Sequence, residues 1–347
     1  MPRTPSQQTL PMPFDCRFSL VCAATFRRAR AGGAIALFVS AMSLAHADVL
    51  VTFAESPVSV IRGASLYQAG LGAKLQDGDI IKTDGGQSAQ IEDGTGTLVA
   101  LGPRTQLLLT ARSVPQHAPA ELARISMLYG WLKVSSTVII ARQQPVSIEL
   151  AGLNIQPAGD GAWAVVAMAT AQRIAIFSEI GDDAIEGGVP GSKSKQTLRE
   201  GQYIERDADK SLRTQARPSA EFVGALPLGF RDTLVGLSSR LTSRQELAAP
   251  VRPVDYADVS DWLASDVSVR KTFVTRFAPR LRSASFRAQI DAHLDVLSEW
   301  RPILHPPPHA PAARHQGHAQ ALPASRKERD AAMRYEKEPP SEDIHAQ

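Results

Sequence analysis

Between Val49 and about Asp209, apolar residues come in short runs that alternate with polar ones, and Gly or Asp turns break the runs every few residues. A two-residue period predicts strands with one buried face, and the frequent breaks predict hairpins, so this stretch reads as an all-β domain. Val58-x-Val60 leads to Arg62-Gly63, and Asp77-Gly78-Asp79 precedes Ile80-Ile81. Asp84-Gly85-Gly86 precedes Ala89-x-Ile91, and Asp93-Gly94-Thr95-Gly96 precedes Leu98-x-Ala100. Asp-Gly supplies the positive φ that tight hairpin turns need, which gives these acidic residues a structural use first. Further strands are expected at Ile125–Val134, Val146–Ile155, Ala162–Ala169 and Arg173–Phe177, with a last one at Gly201–Glu205. Gly130-Trp131-Leu132-x-Val134 looks like a second copy of the strand signal around Gly63, a weak internal repeat.

The pattern then changes twice. Residues 211–254 are broken by Pro218, Pro227, Pro250 and Pro253, yet Phe222 to Leu241 holds enough apolar residues to pack on something, so the stretch reads as a strap. Over 255–304 the period becomes helical. Val259, Trp262 and Leu263 share one face, Phe273, Val274, Phe277 and Leu281 a second, and Phe286, Ile290, Leu294 and Leu297 a third. Asp258 or Ser260, Asp266 or Ser268, and Ser283 or Ser285 are the expected caps, with Pro279 interrupting and Pro302 stopping the last helix. Residues 305–347 carry seven Pro, five His and a single aromatic, Tyr335, and are expected to form a disordered tail.

Composition alters this picture mainly at the N-terminus. The formal charge is +3, but residues 1–47 hold five Arg and one Asp, so the remainder is close to neutral. Arg27-Arg28-Ala29-Arg30 precedes an apolar stretch from Ala31 to Ala45 and the triplet Ala45-His46-Ala47. That order predicts a secretory signal peptide with an upstream extension over 1–47, cleaved after Ala47, and a periplasmic protein without an integral membrane segment. Both cysteines, Cys16 and Cys22, would leave with it, which excludes a disulfide framework or a thiol nucleophile from the mature chain.

Candidate chemistry is sparse. Ser192-x-x-Lys195 lies in a polar loop without companion motifs, Gly94-x-Gly96 lacks a phosphate loop's third glycine and Lys, and neither Asp77 nor Asp93 opens a calcium loop with the right ligands. The tail histidines, His305-x3-His309 and His315-x2-His318, have no scaffold to hold a metal, so no metal and no cofactor is expected. Carboxylates among Asp77, Asp79, Glu92 and Asp93 leave open an enzyme acting on a cell-wall polymer. Arg270, Arg276, Arg280 and Arg287, with Trp262, form the candidate partner-binding face of the helical element. Residues 251–304 balance eight basic against seven acidic side chains, which with export argues against nucleic acid.

Val58-Ser59-Val60-Ile61-Arg62-Gly63, Leu75-x-x-Gly78-Asp79-Ile80-Ile81-x-Thr83, Asp93-Gly94-Thr95 and Leu101-Gly102-Pro103 together resemble the periplasmic domain of the FecR family. The resemblance implies a β-solenoid or sandwich domain over 48–210. It implies a part in cell-envelope signalling, although the chain lacks the family's cytoplasmic anti-sigma segment. The reading reached from the residues and this likeness is a non-enzymatic binding or scaffold module, with an envelope protein or peptidoglycan as partner. A wall-polymer enzyme and a small-ligand sensor are the alternatives.

Overall fold

The computed structural model describes residues 49–112, 121–137, 145–187, 195–207 and 210–306. The expected signal peptide, Ser192 and the tail beyond Pro306 lie outside the described residues. Eighteen strands occur among the described residues, and the protein is mainly β. They are β1 (Val49–Ala54), β2 (Val58–Arg62), β3 (Ser65–Ala69), β4 (Lys74–Leu75), β5 (Ile80–Lys82), β6 (Ala89–Glu92), β7 (Leu98–Leu101), β8 (Gln106–Arg112) and β9 (Glu121–Ser136). There follow β10 (Ser147–Leu150), β11 (Leu153–Pro157), β12 (Trp163–Ala169), β13 (Arg173–Ile180), β14 (Asp183–Gly187), β15 (Lys195–Leu198), β16 (Tyr203–Asp207), β17 (Arg213–Gln215) and β18 (Arg252–Pro253).

The strands make two sheets. The first runs β4-β1-β6-β7-β9-β12-β13-β16-β17. The second runs β18-β3-β2-β5-β8-β9-β10-β11-β14-β15. All pairings are antiparallel except β9 with β10. Strand β9 belongs to both sheets: Glu121 to Tyr129 pairs with β8, and Gly130 to Ser136 pairs with β12. Gly130 marks the corner with φ 105°, and a Cβ there would stand 2.3 Å from Thr105 Cα, so only glycine fits. This glycine lies inside a strand, whereas Gly63 sits in the β2–β3 turn at φ 57°, so the two are not copies of one local structure.

Apolar side chains from both sheets meet between them, among them Val51, Val60, Ile81, Leu107, Ile125, Val134 and Val165. The adjacent Ile61, Ile80 and Leu108 point the other way and are buried under helices. Covering both faces of the second sheet turns simple alternation into apolar runs such as Ile80-Ile81 and Leu107-Leu108-Leu109.

The chain after β17 wraps the sandwich. It first crosses the outer face of the first sheet, where α1 (Ala220–Ala225) and a 3₁₀ turn at Leu228–Phe230 seat Phe222 and Phe230 beside Trp131 and Tyr203. It then passes the edge formed by β4 and β3: Gln245 N–H donates to Gly72 O (3.0 Å), Lys74 N–H to Gln245 O (2.9 Å), and Val251 N–H to Leu66 O (2.8 Å). Finally α2 (Tyr256–Ala264), α3 (Arg270–Phe277), α4 (Ala284–Ala292) and α5 (Arg301–Leu304) cover the second sheet. Their shared core holds Trp262, Phe273, Phe277, Phe286, Ile290 and Trp300.

Val259 with Trp262, Phe273 with Phe277, and Phe286 with Ile290 share faces as expected, but α3 ends before Leu281 and α4 before Leu294 and Leu297, and other boundaries move as well. The Asp258 carboxylate reaches back to the Asp255 N–H (2.7 Å), so the cap of α2 is Asp255, three residues before the expected Asp258. Pro302 opens α5, where its missing N–H costs nothing. Strand β17 extends the first sheet to Gln215 through Arg213-Thr214-Gln215, a polar edge with no apolar alternation to announce it.

Candidate functional site

The turn motif read from the sequence is spent on the fold. Arg62 binds the fully buried Asp79 through two nitrogens (3.0 and 2.7 Å), and Asp79 also accepts from Gln76 N–H. Asp93 Oδ1 accepts from Thr95 and Thr97 N–H at 2.9 and 2.8 Å, and its Oδ2 from Leu122 N–H. Asp77 accepts from Ala111 N–H, and Glu92 from Leu237 and Ser238 N–H. All four carboxylates considered for wall chemistry thus hold backbone or Arg partners.

The helical-face residues also have internal partners. Arg276 donates to Gly63, Gly78 and Ile61 carbonyls at 2.9, 2.6 and 2.7 Å, which hooks α3 onto the turns of the Arg62–Asp79 motif. Burial lowers its guanidinium to about 10, against the pull of Asp79 and Asp77. Arg270 pairs with Glu299 (2.7 Å), Arg280 donates to Val254 O and lies over Phe286, and Arg287 reaches Leu304 O at 3.3 Å. Trp262 is fully buried. A docking surface built from these five side chains is therefore not what the geometry presents. Basic and aromatic residues interleave here because the cations satisfy carbonyls at the seam between helices and sheet.

A different constellation lies where β9 turns from the second sheet to the first. The loop after β7 closes over the corner through Thr105, whose hydroxyl donates to Gly102 O (2.8 Å) and accepts from Trp131 N–H (3.0 Å). The next loop residue back, Arg104, has φ 53°, a left-handed conformation that costs a non-glycine residue about 1 kcal/mol. Its N–H donates to Asp84 O (3.0 Å), and its side chain lies across Gly85, whose Cβ would come within 3.3 Å of Arg104 Nε.

Two cavities flank Arg104, of about 460 and 570 Å³, and both are also lined by Gly85 and Tyr129. The first is polar. In it Arg252 grips Asp258 through two nitrogens (2.6 and 2.8 Å), and Lys82 donates to Asp258 O. Burial pushes the Asp258 carboxyl up, but the Arg252 bonds outweigh it and hold the group below the usual range. Tyr129 donates to Asp261 and accepts from Gln106 Nε2 (2.7 Å); burial, then Asp261, raises the phenol and keeps it protonated. The second cavity is apolar, floored by Trp131 and Met168 and walled by Pro103 and Ala169.

Three groups here are left over. The Arg104 guanidinium and the Asp84 carboxylate are exposed, and neither has a side-chain hydrogen-bond or ion-pair partner among the described residues. Gln106 Oε1, on a side chain only 9% exposed, accepts nothing. The motif Leu101-Gly102-Pro103 ends one residue short of Arg104, and a left-handed arginine carries no mark in the sequence. Among the described residues no group of three or more His, Cys, Asp or Glu is placed to hold a metal ion, and no helix is long and apolar enough to cross a membrane.

No protein-family model matches the chain, and no curated protein matches it. Two crystal structures of a candidate anti-sigma factor from Parabacteroides distasonis are similar to it, at 16% and 15% identity with TM-scores of 0.32 and 0.31. Each alignment covers 42% of this chain and 63% or 62% of the other, so the match spans less than two thirds of those structures.

Proposed function

We propose that this protein is a non-enzymatic binding module of the cell envelope, FecR-like in kind, whose partner site is the corner groove around Arg104. One observation carries the reading: an unpaired guanidinium and an unpaired carboxylate share an open groove, and the guanidinium is held there on strained backbone. The left-handed backbone serves the turn through the bond from Arg104 N–H to Asp84 O, which glycine would make without strain; an arginine there whose side chain has no partner among the described residues is a mark of a functional loop. The engagement of Asp77, Asp79, Glu92 and Asp93 in turns and clamps favours binding over hydrolysis of a wall polymer. The address is the periplasm, reached through the segment ending at Ala47. The partner is an envelope protein, in a scaffold or signalling role, and peptidoglycan is the competing outcome.

The test is affinity capture by the tagged chain expressed in its own host, wild type beside Arg104→Glu. The variant is expected to retain its thermal midpoint and to lose captured partner by about tenfold, the worth of one charged hydrogen-bonded contact. Equal capture by both proteins overturns the site, and retention on insoluble wall with no protein partner overturns the partner class. Asp48 as the first residue of the recovered protein checks the address.

A further inference from the structure

We infer that the corner groove takes the carboxyl-terminal end of an extended protein segment whose last side chain is apolar. This rests on the reading of the groove as a partner site and names what that site recognises.

The charges select the ligand. Of the three cations lining the polar cavity, Arg252 is neutralised by Asp258 and Lys82 is turned to Asp258 O, which leaves Arg104 as the one with an unused fork. A guanidinium binds a carboxylate through two parallel N–H donors, a geometry that an isolated backbone carbonyl does not fill. Gly85 lies beneath the Arg104 side chain, and its N–H has no hydrogen-bond partner among the described residues. The Asp84 carboxylate is the complementary piece: an exposed acceptor without a partner among the described residues, lining the same cavity and suited to a peptide N–H. Across Arg104 lies the apolar trough of Trp131, Met168, Pro103 and Ala169, next to where the carboxylate would sit.

This order of acid, amide and apolar side chain is that of a peptide terminus. An acidic sugar would need hydrogen-bonding side chains on the trough side as well. There the hydroxyl of Thr170 is already taken by the N–H groups of Gln172 and Arg173 (3.3 and 3.0 Å), and one face of Trp131 is packed on Phe222.

The experiment measures fluorescence anisotropy of the mature chain, residues 48–347, with dye-labelled pentapeptide pools of otherwise random sequence. One pool ends in leucine with a free carboxylate, a second is the same pool amidated, and a third ends in serine with a free carboxylate. The free-acid leucine pool is expected to bind about tenfold more tightly than its amide and several-fold more tightly than the serine pool. Arg104→Gln is expected to erase the acid-over-amide preference. Arg104→Gly is expected to erase it with an unchanged or higher thermal midpoint, because glycine relieves the positive φ; a merely structural arginine would lower the midpoint instead.

Equal binding of acid and amide pools, no binding of any pool, or a preference that survives Arg104→Gln overturns the peptide terminus. If the pools fail while capture from the envelope still depends on Arg104, only the ligand class falls. If that dependence is also absent, the groove itself is not the site.

Discussion

Both outer faces of the sandwich are covered by the same C-terminal stretch, but by different means. Over the first sheet the cover is irregular backbone broken by α1 and single 3₁₀ turns, and the sheet answers with buried polar side chains. Lys133, 1% exposed, donates to Phe230 O and Asp232 O and pairs with Glu179; Gln90 donates to Val235 O; Glu92 accepts from Leu237 and Ser238 N–H and the Ser238 hydroxyl. Over the second sheet the cover is helical, and there the sheet presents Ile61, Ile80 and Leu108. The difference follows from hydrogen-bond accounting. A helix of two turns or more satisfies most of its own backbone and packs mainly on apolar surface, whereas a strap of single turns and irregular backbone must borrow more partners from what lies beneath it.

The sharpest way to break this comparison is to damage each cover separately. Trp262→Ala empties a fully buried site in the helical layer and is expected to cost about 3–5 kcal/mol by chemical denaturation. Lys133→Met leaves two carbonyls and Glu179 without their cation and is expected to cost about 3 kcal/mol. The two should differ in kind as well as size. Limited proteolysis of the Lys133 variant is expected to cut near Arg231 or Arg240 before the helices are touched, and cleavage in the helices first would refute the clamp.

A change in the shared core should move both covers together. Burial raises the Asp183 carboxyl to about 7, against the hydrogen bond it accepts from Trp163 Nε1 (2.6 Å). The folded state therefore favours the protonated form. That contribution is complete below about pH 4, the unfolded value, and is lost as pH rises toward 7. Thermal midpoints are expected to fall across that window by a few kcal/mol of stability, and Asp183→Asn should flatten the fall; an unchanged pH profile in the variant would remove Asp183 from the account. The smallest effect is expected from Arg276→Met, which removes three hydrogen bonds to carbonyls but keeps an apolar stem at the seam, at about 2 kcal/mol by denaturation.

How much of this was legible depended on whether a residue's role showed in its local pattern. The Asp-Gly turns, the strand runs and the helical faces of Phe273 with Phe277 and Phe286 with Ile290 follow from periodicity and turn chemistry, and the structure places them so. The spacing of Arg62-Gly63 and Gly78-Asp79 turns out to be an ion pair, which links two turns that the sequence gives only as neighbours. Lys133, Gln90 and Glu92 were not legible as clamps, because a polar residue alternating along a strand looks the same whether water or a strap covers it. The candidate site was missed for the same reason in reverse. Arg270, Arg276, Arg280 and Arg287 stood out by composition and are used internally, while the unpaired Arg104 stands alone among turn residues.

The passage of the strap across β3 and β4 has a consequence for the order of events in biogenesis. Those strands form early in the chain, at 65–75, but the segment that seals them, Gln245 to Pro253, emerges some 170 residues later. Until it arrives, two open strand edges are available to neighbouring molecules. A chain ending at Pro218 is expected to keep its strands and to self-associate, visible as a rise in light scattering, whereas a monodisperse product would show that the edges protect themselves. The C-terminal stretch is in this sense a late-acting chaperone carried in cis, and the cell must keep the nascent sandwich apart from its copies until that stretch has been delivered.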